Sequence, residues 1–380
     1  MKIVLVTGSL APYNARLYDA FGKTTNNALH ILQCAKIEPG RKWSVPESKN
    51  FSLTSLSGIR LHRSDISHVY FNPGVLAALA RLRPDAIIID GLSPTMIAAA
   101  MYGMATNTPY GLAFDGAREF DPGETSWPHA RVRQFLGPRA SFGLARGEGA
   151  REMIEHWGLP KGRAAFVPHT GTWVPPARQT SFSERPFDLL VCGTLNERKN
   201  PMFVADVVDR LVQGGFRPRV RVVGEGGLRA PFAARLASSG IEAQFDGYLQ
   251  QDGIIEAYQS AKLLLFPTLA DTWGLVSNEA LMCGTPVLAS PHSVSARELV
   301  QVYGTGLVRE LDAGLWAKSV RDMLNSPEAW KAFMARRTEA LAVHDLDNAV
   351  AGMIKGIQIA RTRQSNPNGD KRAIEPAKTP

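Results

Sequence analysis

The chain predicts an α/β protein built from two successive doubly wound parallel sheets. Three observations carry that expectation. Short apolar runs at residues 3–7, 86–90, 188–192 and 262–266 alternate with stretches of helical spacing, the pattern of strands joined by crossover helices. An aperiodic stretch, 170–186, contains three prolines and separates two such series. At 380 residues the chain also exceeds what one core usually spans.

The elements follow in order. Residues 3–7 read as the first strand, Gly8 to Tyr13 as its loop, 15–23 as a helix and 28–35 as the second strand. Between 38 and 64 the periodicity fails at Pro39, Gly40, Pro46 and Gly58, with Trp43 inside. That segment is either a long ordered excursion near an acceptor or a plain connecting hairpin. A helix at 72–82 opens on Asn72 and Pro73 in cap positions. Then come a strand at 86–90, a helix at 94–102, a strand at 110–114 ending at Asp115, a helix at 130–136, a strand at 141–145, a helix at 149–157 and a strand at 165–168. The expected division is a first domain over 1–170, a linker over 171–186 and a second domain over 187–343. In the second domain, strands at 188–192, 220–223, 243–245, 262–266, 287–290 and 306–308 alternate with helices at 201–213, 229–238 and 253–260 and one beginning near Leu275. Helices at 314–325 and 327–343 follow. A last helix, over 344–361, is expected to pack back on the first domain, and the polar, breaker-rich tail 362–380 is expected to be disordered.

Composition narrows the function classes. No apolar run approaches the length of a membrane span. The first seven residues are too short for a signal peptide and lack its cleavage pattern, so they read as a buried strand. Cys34, Cys192 and Cys283 are unclustered and make neither a disulfide framework nor a zinc site, so a reduced, cytoplasmic protein is expected. The net charge of +8 is uneven, +6 over residues 1–175 and +2 over the rest. A basic first half could meet the inner face of an anionic membrane or an anionic acceptor, or be a scattered solvated surface. Nucleic acid is not expected, since aromatic residues do not interleave with the basic ones.

Ligands of open parallel sheets sit beyond the carboxyl ends of the strands. Four strand-end loops of the second half carry the chemistry. In Phe266-Pro-Thr-Leu-Ala-Asp271-Thr-Trp-Gly-Leu-Val-Ser-Asn-Glu279 one carboxylate lies in a turn and a second lies one turn into a helix. A helix start leaves amide donors unpaired and is electropositive. Together they suit a ligand with both an anion and hydroxyl groups, such as a nucleotide-activated sugar. Glu279 could accept from the vicinal hydroxyls of a ribose and Asp271 from those of the transferred sugar, with Thr272 and the amides of Trp273, Gly274, Leu275 and Val276 beside them. Asp271 alone reads equally as a cap or turn residue. In Gly193-Thr194-Leu-Asn-Glu-Arg198-Lys199-Asn200 two cations stand before a helix whose dipole disfavours them. Diphosphate would explain them; an exposed basic pair is the plainer reading. Gly224-Glu225-Gly226-Gly227 falls short of a dinucleotide fingerprint because Arg229 holds the place of its third glycine, and it also reads as a flexible turn. The loop around Tyr248 and Leu249 could offer backbone groups to a nucleobase edge, or be only a strand-end turn.

Taken together, Gly193-x-Leu195-x-x-x-Lys199-Asn200, Val223-Gly-Glu-Gly226, Phe245-Asp-Gly-Tyr-Leu249, Pro267 to Ala280 and Gly284-Thr-Pro-Val287 resemble, in order and spacing, the GT-B glycosyltransferases, specifically the retaining glycosyl transferases group 1 (family four). The first half is similar more loosely, through Ala11-Pro-Tyr13, Arg16-Leu-Tyr-Asp-Ala-Phe21, Pro84 to Asp90 and Gly147-Glu-Gly-Ala-Arg151. The resemblance implies two Rossmann-like domains facing each other across a cleft. It implies retaining transfer from a UDP- or GDP-linked sugar, a co-substrate rather than a cofactor, to a hydroxyl of a glycan or lipid-linked acceptor. No metal is needed, and the setting is polysaccharide or glycoconjugate biosynthesis. By position it gives Lys199 the donor diphosphate, Asp271 the sugar and Glu279 the ribose, with acceptor contacts near Tyr13 and Arg16. Three positions depart from the family pattern. Thr194 replaces an arginine, leaving the diphosphate to Lys199 with Arg198; Asp271 replaces a glutamate one methylene longer; and Asp115 replaces a histidine at the end of the first domain's fifth strand. Asp115 is thereby a candidate for the group near the anomeric centre, or a surface loop acid. A nucleotide-sugar epimerase and a non-catalytic nucleotide-sugar binder are the alternatives on the same architecture.

Overall fold

A computed structural model of the chain describes residues 1–25, 27–37, 47–64, 67–121, 123–124 and 126–365. Trp43 with its neighbours 38–46, and the tail from 366, lie outside the described residues. The chain divides into two compact units. Unit 1 comprises Met1–Arg118, Pro122–Pro168 and the chain from Leu346 onward, and unit 2 comprises Glu119–Asp121 and His169–Asp345.

Unit 1 runs β1 (Lys2–Thr7), α1 (Pro12–Thr24), β2 (Ala28–Gln33), β3 (Phe51–Ser55), β4 (Ile59–Ser64), β5 (Ser67–Phe71), α2 (Val75–Leu82), β6 (Ala86–Asp90), α3 (Pro94–Ala105), β7 (Tyr110–Phe114), α4 (Trp127–Leu136), β8 (Phe142–Ala145), α5 (Glu148–His156) and β9 (Ala164–Phe166). Seven strands form a parallel sheet in the order β3-β2-β1-β6-β7-β8-β9, while β4 and β5 pair antiparallel as a separate hairpin. The strands are near-continuous apolar runs because both faces are covered. Val4 and Val6 face a layer that includes residues of α2, α3 and α5; Ile3 and Leu5 face the opposite layer, which includes residues of α1.

One open reading for this unit narrows and one expectation needs correction. The weakly patterned stretch before residue 72 holds an edge strand and a hairpin, so of its two readings the connecting hairpin fits the described part. Its strands escaped notice because β3 alternates apolar and polar residues, has one exposed edge and buries little. Asn72 does not cap a helix, which begins only at Val75 after Gly74. Asn72 is buried instead, and its amide nitrogen donates to the carbonyls of Cys34 and Leu56, both at 3.1 Å.

Unit 2 continues with β10 (Phe187–Cys192), α6 (Pro201–Gln213), β11 (Val220–Val223), α7 (Arg229–Ser238), β12 (Gln244–Gly247), α8 (Gln251–Gln259), β13 (Ala261–Phe266), α9 (Val276–Met282), β14 (Val287–Ala289), β15 (Gly306–Val308), α10 (Ala313–Leu324) and α11 (Pro327–Val343). Its six strands are parallel in the order β12-β11-β10-β13-β14-β15. The order turns back between β10 and β13, and at such a switch point open parallel sheets bind their ligands beyond the carboxyl ends of the strands. Residues 171–186 lie within unit 2. There Ser181 opens a single 3-10 turn through a capping box with Glu184, and Arg185 is buried. The final helix, α12 (Leu346–Ser365), belongs to unit 1: Ala349, Val350, Met353 and Ile357 enter the layer beneath Ile3 and Leu5.

Candidate functional site

The switch point of unit 2 brings together the loops after β10 and β13, which carry the acids and cations singled out in the sequence. The β10 loop is shaped by its own side chains: Asn196 Oδ1 accepts from the Lys199 amide at 3.0 Å, and Asn200 takes a left-handed backbone (φ 55°) before Pro201 starts α6. Asparagine tolerates that conformation better than most residues. The turn aims Arg198 and Lys199 at the β13 loop. Lys199 Nζ donates to Asp271 Oδ2, and Arg198 Nη1 lies 3.3 Å from the same oxygen. Arg198 also donates to the Ala270 carbonyl at 2.8 Å, and Lys199 lies 5.0 Å from the centre of the Phe266 ring. Each of the three side chains retains 15 to 19% exposure, enough for a ligand to reach them.

Asp271 itself is fixed through its backbone. Its amide donates to the His292 carbonyl at 2.9 Å, and the residue forms an isolated bridge with Ser293. Beside it, the Trp273 indole is buried against the rings of His169 and His344 and donates to Asn278 Oδ1 at 2.7 Å. The indole therefore anchors the loop, leaving only the main chain of Trp273 to face a ligand. Thr272, Leu275 and Val276 are partly exposed and Gly274 is buried; Gly274 has φ 100°, where an added Cβ would stand 2.7 Å from the Phe266 ring.

Glu279, in the first turn of α9, is mostly buried and held on both sides. Thr172 Oγ1 donates to Oε1 at 2.8 Å and the Tyr258 hydroxyl donates to Oε2 at 3.0 Å. Burial pushes its carboxyl above the usual range, opposed by those two hydrogen bonds and by the charge of Lys199. Burial, chiefly, also raises the Tyr258 phenol well above its ordinary value, and the Cys192 thiol nearby is pushed up to about 12. The phenol thus stays a donor across the physiological range. Neither Thr172 nor Tyr258 was picked out from the sequence. Thr172 sits in the proline-rich stretch and Tyr258 follows the apolar pattern of α8, so nothing local marks either.

The glycine loop after β11 is a tight lock rather than a flexible turn. An added Cβ on Gly224 (φ 132°) would stand 1.8 Å from the Gly193 carbonyl oxygen, and one on Gly226 (φ 157°) 2.2 Å from that of Leu195. The Leu195 amide donates to the Glu225 carbonyl at 2.9 Å and the Gly224 amide to that of Gly247 at 2.8 Å. Three strand-end loops are laced main chain to main chain. Thr194, Glu225 and Tyr248 are exposed on them, and Leu249 packs partly against the core.

Unit 1 carries the remaining candidates at its own strand ends. Asp115 follows β7 and is exposed. Tyr13 and Arg16 lie in the first turns of α1, and partial burial lowers the Arg16 pKa. Near them Arg146, following β8, donates from Nη2 to Asn14 Oδ1 at 3.0 Å, and Thr7 donates to Asp90 at 2.9 Å. Among the described residues, no group of three or more His, Cys, Asp or Glu side chains could hold a metal ion.

Comparison with known proteins bears on this geometry. Residues 175–339 match the family described as glycosyl transferases group 1. A GDP-mannose-dependent alpha-(1-6)-phosphatidylinositol dimannoside mannosyltransferase of Mycobacterium tuberculosis is 29% identical over 150 residues, 39% of this chain and 38% of that protein. A D-inositol 3-phosphate glycosyltransferase of Mycolicibacterium paratuberculosis is 32% identical over 178 residues, 42% of this chain and 39% of its own length. The match thus spans about two fifths of the curated relatives. Among solved structures, Anabaena Alr3699/HepE in complex with UDP superposes with a TM-score of 0.70 at 15% identity, covering 96% of this chain and all of the other. Sucrose-phosphate synthase from Thermosynechococcus elongatus gives 0.67 at 14%, covering 96% and 99%. At such identities the likeness speaks for the fold: two Rossmann-like units of the GT-B kind.

Proposed function

Taking as premise that residues 175–339 belong to the glycosyl transferases group 1 family, we propose that the chain transfers a sugar from a nucleoside-diphosphate sugar to a hydroxyl of a glycan or lipid-linked acceptor, with retention of anomeric configuration and without a metal. The observation that carries this reading is the convergence of Lys199 and Arg198 on Asp271 at the switch point, with Glu279 held by Tyr258 and Thr172 alongside. Two cations at a strand end suit a diphosphate. A carboxylate locked by two hydroxyl donors keeps further lone pairs for a ribose diol.

In the reaction, charge develops on the departing diphosphate and on an oxocarbenium-like ring. The chain's contribution is electrostatic and positional. Lys199 and Arg198 stabilise the leaving group, Asp271 orients the sugar and Glu279 fixes the nucleoside. Asp115 is the candidate from unit 1 for the group near the anomeric carbon, and Tyr13 and Arg16 are candidates for the acceptor. The mannosyltransferase relative's name speaks of GDP-mannose and one structural neighbour's of UDP, so both nucleotides belong in the assay.

The test is incubation with a panel of UDP, GDP and ADP sugars, following slow donor hydrolysis and transfer to added glycan and lipid acceptors. One donor is expected to be consumed, and Lys199→Ala and Glu279→Ala each to abolish consumption while leaving the melting profile in place. Full activity in either variant would sink the proposal. Donor binding without turnover would favour a binder, and acceptor-independent conversion to another nucleotide sugar an epimerase.

A further inference from the structure

One helix of unit 1 carries an outward stripe that the donor site does not use. On α4 and the turn after it, Trp127, Arg131, Phe135 and Arg139 recur every fourth residue, which places them along one line of the helix surface. All four are exposed, Trp127 at 70% and Phe135 at 47%. The Arg131 guanidinium lies 5.6 Å from the Trp127 ring centre and that of Arg139 lies 4.3 Å from Phe135. The opposite side of α4 is core: Leu136 is 1% exposed, and Arg133 lies 4.6 Å from the Trp157 ring. Between Glu124 and Glu148 the sequence carries four arginines, a histidine and no acid.

The β4–β5 hairpin repeats the theme on the same side of the sheet. Its register pairs Ile59 with Phe71 and Leu61 with Val69 on one face, and Ile59, Leu61 and Phe71 are 61, 61 and 54% exposed. On its other face Tyr70 enters the core layer that also takes Leu136 of α4. Bulky apolar side chains standing out on two elements that share a core layer are uncommon on a surface that meets only water.

We propose that this face of unit 1 docks on an anionic lipid bilayer. Trp127 and Phe135 would enter the headgroup region, where amphipathic rings are favoured, while Arg131 and Arg139 lie along the rings and reach lipid phosphates. Ile59, Leu61 and Phe71 add apolar area. Charge selects this occupant over a second copy of the chain. An isologous pairing of the stripe would bring arginines against arginines, with no acid in the stretch to neutralise them. The proposal rests on the surface of unit 1 alone and stands apart from the reading of unit 2.

The test uses the full chain in vesicle flotation, with equal parts phosphatidylglycerol and phosphatidylcholine against phosphatidylcholine alone, at low and high salt. Binding is expected on the anionic vesicles, weakened by salt and weak on the neutral ones. Trp127→Ala with Phe135→Ala, and separately Arg131→Ala with Arg139→Ala, are each expected to reduce the partition by about tenfold or more. Because these side chains are exposed, melting temperatures should hold. Brominated lipid should quench a tryptophan signal that Trp127→Phe removes. A chain that stays unbound with anionic vesicles, or double variants that float as well as the parent, would overturn the proposal. So would a concentration-dependent dimer, seen by sedimentation velocity, that the aromatic variant abolishes.

Discussion

Asp271 is the counter-ion of Lys199 and Arg198, so under the proposed function a donor diphosphate would have to take those cations over. Asp271→Asn isolates that competition. It keeps the side chain's shape and the amide bond to the His292 carbonyl and removes only the charge. With all three side chains 15 to 19% exposed, each pairing is worth about 1 kcal/mol net after screening. Releasing both cations frees about 1–2 kcal/mol, a tightening of roughly five- to thirtyfold in Kd for a bare nucleoside diphosphate. Sugar transfer should move the other way. The sugar hydroxyls lose a charged acceptor, and kcat/KM should fall about a hundredfold. Calorimetric titration of UDP and GDP at two salt concentrations checks the first part, and the gain should shrink at high salt. If the Asn variant binds the nucleoside diphosphate more weakly than the parent, Asp271 holds the cations in place for the diphosphate instead of competing with it, and the reasoning fails.

Three further outcomes are expected. Tyr258→Phe removes the phenol that donates to Glu279 Oε2 at 3.0 Å, so donor KM should rise about tenfold with kcat little changed. Since that hydrogen bond opposes the upward shift of the Glu279 carboxyl, its loss should move the acid limb of the donor-KM profile to higher pH; an unmoved profile would count against the clamp. Arg185 is buried and donates to the carbonyls of Tyr258, Ala261, Cys283 and Thr180 and to Thr285 Oγ1. Lysine offers three donors where arginine offers five, so Arg185→Lys should leave buried carbonyls unmet and cost about 3 kcal/mol in chemical denaturation; a cost below about 1 kcal/mol would contradict that account. His344 is buried and its imidazole is pushed down to about 4, so folding favours the neutral ring. Its stabilising contribution is complete above the free value near 6.5 and is lost as pH falls towards 4, up to about 3 kcal/mol. Melting curves of the parent and His344→Phe should therefore converge over that window, and parallel curves would refute it.

How far the sequence could be read depended on how local the physics is at each place. The unit 2 strands are apolar runs flanked by turn residues, and Leu189, Leu263 and Leu264 are indeed fully buried. At Gly224 and Gly226, where the sequence also reads as a flexible turn, main-chain oxygens occupy the space a Cβ would need. What stayed hidden rests on partners far away in the chain. Asn72 carries a helix-cap residue type but spends its amide on carbonyls 38 and 16 positions away. Thr172 reaches Glu279 across 107 residues, and Arg185, in a stretch that reads as linker, ties together four segments of unit 2. No periodicity announces such bonds, because each is set by the completed fold.

The proposed donor site joins a rigid half to an adjustable one. Beneath the Asp271 turn, Thr268, Ser277, Ser290, Ser293 and Ser295 are fully buried polar residues. Ser290 Oγ donates to the Thr268 carbonyl at 2.5 Å, the Ser295 amide to that of Trp273 at 3.0 Å, and the Leu269 amide to that of Arg198 at 2.8 Å. Unmaking such bonds in the interior is costly, so the backbone under the acid is over-determined. Lys199 and Arg198 approach on long side chains whose heads can swing without moving that backbone. Asp271 has one methylene and two rotatable bonds, so it cannot follow a ligand far. Under the proposed function the sugar would therefore come to Asp271, while the cations come to the diphosphate. It follows that lengthening the acid, by Asp271→Glu, should change which donor sugar is accepted more than how tightly the nucleoside diphosphate is held. The check is kcat/KM across the donor panel beside the Kd for the nucleoside diphosphate. A variant that shifts only the Kd would show that the rigid half does not select the sugar.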